Sequence, residues 1–185
     1  MQTNQYVAAI VNELQHAADQ LVDKQMDQLV DRIAGAGRIF VAGAGRSGLM
    51  MRGLAMRLMH IGFDVYVVGD TVTRSLQKGD LLIIGSGSGE TKSIVPMAEK
   101  ARSLEGSVAA LTLSPASTLG RLADIVVQLP GAPKDRGEDE AGTIQPMGSL
   151  FEQMLLLVGD AVVLRLMQKQ ELTGSAMYGN HANLE

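Results

Sequence analysis

Two turns rich in glycine and serine are the part of this sequence best suited to bind an anion. The first turn is Gly43-Ala-Gly-Arg-Ser-Gly48, and the second is Gly85-Ser-Gly-Ser-Gly-Glu-Thr91. Glycines let the backbone approach a phosphate closely, and serine and threonine hydroxyls can donate further hydrogen bonds to it. A shift of 42 residues superposes Gly43 on Gly85, which gives a faint internal repeat. The turns therefore predict a site that holds a small phosphorylated ligand from two sides.

The candidate substrate-binding residues come from both turns. They are Gly45, Arg46, Ser47, Gly48, Ser86, Gly87, Ser88, Gly89, Glu90 and Thr91. Arg46 stands near a predicted helix start, where the helix dipole disfavours a cation, and this favours an anionic ligand nearby. Arg46 could bind the phosphate or polarise a substrate carbonyl, and the sequence leaves both roles open.

The first turn also has a competing interpretation. Gly43, Gly45 and Gly48 satisfy the dinucleotide-binding pattern G-x-G-x-x-G, and Asp70 follows 22 residues later, where a ribose-binding acid would stand. A second hydroxyl-rich turn fits a compact sugar phosphate better than an extended dinucleotide, and 185 residues provide no separate substrate domain. The remaining alternative is that both turns are simply tight connections between a strand and a helix.

Alternating strand-like and helix-like segments must position these turns. Continuous apolar runs predict five strands, at 38–42, 64–68, 81–84, 107–113 and 125–129. Helical periodicity predicts one N-terminal helix over 6–34 with a possible break near Lys24, then helices over 49–61, up to about 104, over 118–123 and over 147–167. Strands that are apolar throughout are typical of a parallel sheet covered on both faces. We expect one doubly wound α/β domain, spanning residues 1–185, with an extra N-terminal helix.

Composition excludes several classes of function. The net charge of −4 and the six Phe and Tyr residues without Trp argue against a nucleic-acid partner. The chain has no cysteine, and its histidines and carboxylates do not cluster with ligand spacing, so we expect neither a metal nor any other cofactor. No signal peptide or membrane-spanning stretch is predicted, which favours a cytoplasmic protein without a membrane partner. Residues 130–142 are interpreted as a solvated loop, with a mobile lid as the alternative.

Glu152 is the best candidate for an acid–base group. Within 150–167 only Glu152, Asp160 and Arg165 are charged, so this carboxylate lies on a helix that must be largely buried. The competing explanation is a capping box, in which Ser149 and Glu152 satisfy the first amides of that helix. We assign no role to Asp160.

Four separated motifs resemble the sugar isomerase (SIS) family, and most closely its hexulose-phosphate isomerases. They are G-A-G-R-S-G, S-G-S-G-E-T, P-M-G-S-L-F-E at 146–152 and H-A-N-L-E at 181–185. The resemblance implies a sheet with flavodoxin-like strand order and a tetrameric assembly. It also implies metal-free interconversion of D-arabino-3-hexulose 6-phosphate and D-fructose 6-phosphate, in the ribulose monophosphate route of formaldehyde fixation. One departure is Arg74, which stands where a proline is expected.

The resemblance assigns catalytic roles to two residues. A glutamate at the position of Glu152 acts as proton acceptor in the family, and a terminal histidine, here His181, is brought to an active site. We expect His181 to reach the site that contains another subunit's Glu152. His60 is explained by a favourable interaction with the C-terminal end of its helix, with catalysis as the alternative, and His16 is expected to be solvated.

Two alternatives to an isomerase remain open at this stage. A non-catalytic sugar-phosphate sensor would leave Glu152 superfluous and would normally carry an output domain. The alternative of a dinucleotide-binding protein predicts that the chain binds NAD(H). Apolar faces on the N-terminal helix and on the Met-rich helix at 49–61 predict a symmetric homo-oligomer.

Overall fold

The protein is built around one parallel sheet. The computed structural model describes residues 1–134 and 142–184. Its five strands are β1 (Ile39–Gly43), β2 (Val65–Val67), β3 (Leu81–Gly85), β4 (Ser107–Thr112) and β5 (Ile125–Gln128). Their order in the sheet is β2-β1-β3-β4-β5, and every neighbouring pair is parallel. The predicted doubly wound fold with flavodoxin-like strand order is confirmed.

Seven helices surround the sheet within the described residues. They are α1 (Thr3–Ala18), α2 (Asp23–Ala34), α3 (Gly45–His60), α4 (Val95–Ser103), α5 (Thr118–Leu122), α6 (Ser149–Lys169) and α7 (Gly174–Tyr178). None of these helices is long and apolar enough to cross a membrane.

The N-terminal segment forms two helices, in line with the possible break that the sequence predicted near Lys24. The chain leaves the helix at residues 19–22, just before the predicted break at Lys24. Helix α1 packs on α6, whereas α2 packs on both α6 and β5, so the two helices meet different parts of the fold. Asp23 in the first turn of α2 favours a new helix start, because its negative charge complements the helix dipole.

The two faces of the sheet carry separate apolar cores. On one face, α3 and α6 pack against the sheet with Met51, Phe151 and Leu155 buried between them. On the other face, α4 and α5 cover a smaller core that contains Phe40 and Leu82. All five residues of β3 are buried, which explains why this strand is apolar throughout instead of alternating.

The pairing of β1 with β3 brings the two turns together. These strands are in register with Gly43 opposite Gly85, the same two residues that the 42-residue repeat superposes. The chain runs outward to β2 on one side of β1 and to β4 on the other side of β3. Both turns therefore lie at the topological switch point of the sheet, where open α/β sheets bind their ligands.

Candidate active site

The first turn is a close contact between a strand and a helix. A Cβ atom added at Gly48 would lie 2.6 Å from the backbone oxygen of Gly43, so only glycine allows this approach. Gly45 has φ +56° and is already the first residue of α3, four residues earlier than predicted. The free backbone N–H groups at the start of α3 therefore face the carboxyl edge of the sheet, where an anion is favoured.

The second turn is held by hydrogen bonds between its own residues. The hydroxyls of Ser86 and Thr91 are 3.1 Å apart, and the Gly89 N–H donates to Ser86 Oγ at 3.3 Å. Ser88 Oγ accepts a hydrogen bond of 3.2 Å from the backbone N–H of Glu90. These hydrogen bonds fix the conformation of the turn and order its hydroxyl groups.

A cleft of about 860 Å³ opens between the two turns and the start of α6. The predicted binding residues that line it are Gly45, Ser47, Ser86, Gly87, Ser88 and Thr91. Its volume suits a small organic ligand such as a sugar phosphate.

The other four predicted binding residues do not line the cleft. Gly48 and Gly89 form the backbone of the turns, where their contacts exclude a side chain. Glu90 turns away and accepts a hydrogen bond of 2.7 Å from the backbone N–H of Thr118, at the start of α5. Arg46 extends toward α6 instead of the second turn.

Glu152 is the buried charge of the site. Its side chain is 3% exposed and lies in the first turn of α6. Glu152 does not itself line the cleft, but it is next in the chain to Phe151, which does. Arg46 Nη1 is 3.1 Å from Glu152 Oε2, and Lys134 Nζ is 3.4 Å from Glu152 Oε1. The Glu152 carboxylate is thus an anion that compensates the charge of Arg46 at the start of α3.

The capping-box explanation of Glu152 is wrong. The N-cap of α6 is Gly148 with φ +77°, and no side chain caps this helix. Ser149 is the first residue of α6, and its hydroxyl donates to the Pro146 carbonyl oxygen and accepts from Arg46 Nη1, at 2.7 and 2.9 Å. Glu152 is therefore free of a capping duty and is held by two cations instead.

Three residues of the site were not predicted from the sequence. Lys134 lies on the cleft wall and contacts Glu152, Ser114 lines the cleft, and Ser149 holds Arg46. The signal for Lys134 was a single basic residue after Gly131-Ala-Pro133, within a segment that we interpreted as a solvated loop. Residues 135–141, which complete that segment, lie outside the described residues.

Asp70 and Arg74 stand apart from the cleft. Both carboxylate oxygens of Asp70 accept hydrogen bonds from Arg52, at 2.8 and 3.3 Å, so the acid required by the dinucleotide interpretation is already paired. Arg74 lines a separate apolar cavity between the loop after β2 and α4, on the other face of the sheet.

The structure does not bring His181 to the Glu152 of the same chain. The His181 ring stacks on His60 at the far end of α3, with 5.4 Å between ring centroids. His60 lies fourteen positions after Arg46 in α3, which corresponds to about 21 Å along the helix axis. His16 is exposed on α1, and its Nδ1 is 2.9 Å from the Asn12 carbonyl oxygen.

His60 is buried, with 4% of its surface exposed. Burial lowers the pKa of His60 below 6.5, and the charge of Arg57 and the presence of His181 lower it further. The neutral ring is favoured, so a cationic imidazole stabilised by the helix dipole does not describe this residue.

Comparison with known proteins identifies relatives of this chain. Residues 32–160 match the SIS domain family. A Bacillus subtilis protein named 3-hexulose-6-phosphate isomerase is 55% identical, and the match covers 100% of both chains. A Mycobacterium gastri protein of the same name is 44% identical over 95% of this chain and 92% of its own length.

A solved structure agrees with these sequence matches. It belongs to a Methanococcus jannaschii protein for which a 3-hexulose-6-phosphate isomerase function has been inferred. The match has 33% identity and a TM-score of 0.84, and it covers 98% of this chain and 99% of the other. With its parallel sheet, its paired turns and these relatives, the chain belongs to the SIS domain family.

Proposed function

We propose that this protein is an isomerase that interconverts D-arabino-3-hexulose 6-phosphate and D-fructose 6-phosphate. The observation that carries the proposal is a buried carboxylate, Glu152, which contacts the cleft-lining Lys134 beside two anion-binding turns. Relatives that align with the whole chain and are named 3-hexulose-6-phosphate isomerase support the same reaction. A sensor that only binds sugar phosphates would gain nothing from burying this charge, which is costly to desolvate.

The two turns bind the phosphate and the sugar hydroxyls in this proposal. The backbone N–H groups of Gly45 and Ser47, at the start of α3, face a dianionic phosphate with favourable dipole orientation. The hydroxyls of Ser86, Ser88 and Thr91 complete the contacts from the neighbouring turn.

Glu152 moves the proton. In the direction of fructose 6-phosphate, its carboxylate takes the proton from C2, the electrons form a 2,3-enediolate, and C3 is then protonated. The hydroxyl proton at O2 leaves as the new carbonyl forms, and O3 gains one. Arg46 and Lys134, which both contact Glu152, lie close enough to stabilise the negative enediolate oxygens.

His181 serves the active site of another subunit. The His181 ring lies at the opposite end of α3 from Glu152, so it can assist catalysis only at a site beyond its own chain. Exposed apolar side chains on α3 and α6 provide a surface for such an assembly, and they are Leu49, Met56, Met59, Leu156, Leu157 and Leu164. We expect a symmetric homo-oligomer, which is a tetramer by the family resemblance. Each chain, residues 1–185, forms one domain of it.

Because its substrates are intermediates of central sugar metabolism, we place the enzyme in the cytoplasm.

Isomerisation in D₂O tests the proposed reaction. Purified protein is supplied with D-arabino-3-hexulose 6-phosphate, and the fructose 6-phosphate formed is examined by NMR and mass spectrometry. Proton transfer through an enediol exposed to solvent places deuterium at C3. Absence of fructose 6-phosphate would contradict the proposed function, and product without any deuterium would contradict an exchangeable enediol step.

Mixing two inactive variants tests the shared site. Glu152→Gln and His181→Ala proteins are combined under conditions that allow subunits to exchange, and mixed oligomers are verified by native mass spectrometry. We expect partial recovery of activity, because some sites then contain an intact Glu152 and an intact His181. Mixed oligomers that stay inactive would show that His181 does not act across subunits.

A further inference from the structure

The C-terminal tail is fastened to the far end of α3 by two contacts. Asn180 Nδ2 donates a hydrogen bond of 2.9 Å to the backbone oxygen of His60. The His181 ring lies nearly parallel to the His60 ring, with an interplanar angle of 25° and 5.4 Å between centroids. The ring of Tyr178, in α7, is a second nearly parallel neighbour of His181, at 6.2 Å and 19°.

Few other contacts are available to hold the end of the chain. His181 is exposed on its outer side, and its Nδ1 is 2.9 Å from the carbonyl oxygen of Ala182, which is a local contact. Leu184 is the largest apolar residue of the described tail after His181, and it is 99% exposed. The direction of the His181 ring therefore depends on its stacking with His60 and Tyr178, and the His60 and Asn180 contacts tie it to the end of α3.

His60 itself has no place in the cleft of its own chain. It is buried at the last position of α3, whereas the cleft begins at the first residue of that helix. Burial and the nearby Arg57 keep its pKa below the ordinary value, so a neutral ring lies under His181 and adds no full positive charge when His181 takes up a proton. A flat, neutral and buried ring is a suitable support for a histidine that has to be held in one orientation.

We propose that His60 is a positioning residue, which, together with Asn180, orients the His181 imidazole for the reaction at a neighbouring subunit's Glu152. This inference rests on the proposed function of His181. His60 acts through the flat face of its ring and through its backbone oxygen, and it does not touch the substrate. Its effect on the reaction must therefore pass through His181.

Steady-state kinetics of ring and tail variants test this inference. His60→Leu removes the flat ring, His60→Phe keeps a ring that can stack, and Asn180→Ala removes the hydrogen bond to the His60 oxygen. We expect about tenfold lower kcat for His60→Leu and a smaller loss for Asn180→Ala, each with KM changed less than twofold, because ordering of a catalytic group affects the reacting geometry. His60→Phe is expected to retain most of the activity. Gln20→Ala, an exposed amide between α1 and α2, serves as the matched control for Asn180→Ala.

The same substitutions in a His181→Ala background give the deciding comparison. If His60 acts through His181, His60→Leu and Asn180→Ala cause no further loss of kcat in that background. An equal loss in both backgrounds would overturn the inference, as would an unchanged kcat for both variants in the otherwise natural chain. Where His60→Leu does not fold, as judged by circular dichroism, Asn180→Ala carries the test. An isomerase whose kcat does not depend on His181 would also overturn the inference and would leave the proposed reaction intact.

Discussion

The two glycine–serine turns have similar sequences but use their polar groups differently. In the second turn, Ser86 and Thr91 contact one another, and Ser88 Oγ accepts a hydrogen bond from the backbone of the turn. In the first turn, the Ser47 hydroxyl has no hydrogen-bond partner within residues 1–134 and 142–184, although Ser47 is only 5% exposed. The first turn therefore leaves a hydroxyl donor free at the cleft. The second turn uses some of its hydroxyl groups in hydrogen bonds that hold the turn itself together.

The difference follows from where the next helix begins. Helix α3 starts at Gly45, inside the first turn, so its free N–H groups point into the cleft. Helix α4 starts only at Val95, with a proline in its first turn, so the polar groups of residues 86–94 are satisfied within the turn and by residues of β4 and α5. The repeated motif at the switch point thus provides one turn whose free N–H groups attract an anion and one turn whose internal hydrogen bonds fix the shape of the cleft.

Substitution of glycine should destabilise the protein much more at Gly48, in the first turn, than at Gly87, which lines the cleft in the second turn. In Gly48→Ala, the new Cβ would lie 2.6 Å from a backbone oxygen, whereas in Gly87→Ala its nearest neighbour would be a Phe151 ring carbon at 3.4 Å. We expect Gly48→Ala to lower the free energy of unfolding by about 1–3 kcal/mol, as overpacking does, and Gly87→Ala to have a much smaller effect. Urea unfolding followed by circular dichroism measures both, and equal losses would contradict the difference in packing between Gly48 and Gly87.

Removal of the serine hydroxyls should separate the turns in substrate binding. Ser47→Ala removes a free donor to a charged group, worth about 1.5–3 kcal/mol, so KM should rise about tenfold or more. Ser88→Ala should raise KM less, because the hydrogen bond that Ser88 Oγ accepts from the Glu90 N–H restricts the directions in which its own O–H can donate. Initial rates over a range of hexulose 6-phosphate concentrations give both values. A larger rise in KM for Ser88→Ala would show that the second turn, not the first, contributes more to substrate binding. An unchanged KM in both variants would show that the phosphate binds elsewhere.

The second turn alone carries an acidic link to a neighbouring helix, and this should appear as a small dependence on pH. Hydrogen bonds from the backbone N–H and side chain of Thr118, helped by the charge of Arg121, lower the pKa of Glu90 below 4.5. A carboxyl whose pKa is lowered by folding stabilises the protein above its unfolded pKa, and the contribution is lost as the pH falls through the folded pKa.

Comparison with Glu90→Gln isolates this contribution. The stability advantage of the natural chain over Glu90→Gln is expected to be constant near neutral pH and to shrink as the pH falls below 4.5. Urea midpoints measured from pH 7 to pH 3 test this. An advantage that grows on acidification would contradict the sign.

Apolar patterning was sufficient to predict the sheet. The central strands β1, β3 and β4 are largely buried on both faces and therefore read as continuous apolar runs, and the half-buried edge strands β2 and β5 are short but still mostly apolar. The N-terminal helices were harder to predict, since the break at residues 19–22 reflects packing against different partners and not a proline or glycine. The early start of α3 was missed for a similar reason. Gly45 is a poor helix former, and its place in the helix depends on the close contact of Gly43 with Gly48.

In the site, the turns and Glu152 were predictable because their residue types indicate a role even when the residues that they contact are unknown. The contacts of Lys134 and Ser149 were not, because each depends on a residue far away in the sequence. The His60 and His181 pair lies 121 positions apart, and neither residue has a local pattern that indicates the other.

The central claim is that the buried Glu152 carboxylate accepts the substrate proton, and kcat of Glu152→Gln tests it most directly. Glutamine preserves the size of the side chain but cannot accept the proton, so kcat should fall by about 10²-fold or more. KM should change little, and circular dichroism should be unchanged, with Glu99→Gln on the exposed side of α4 as the matched control that retains full activity. A Glu152→Gln protein with the kcat of the natural chain would contradict the account.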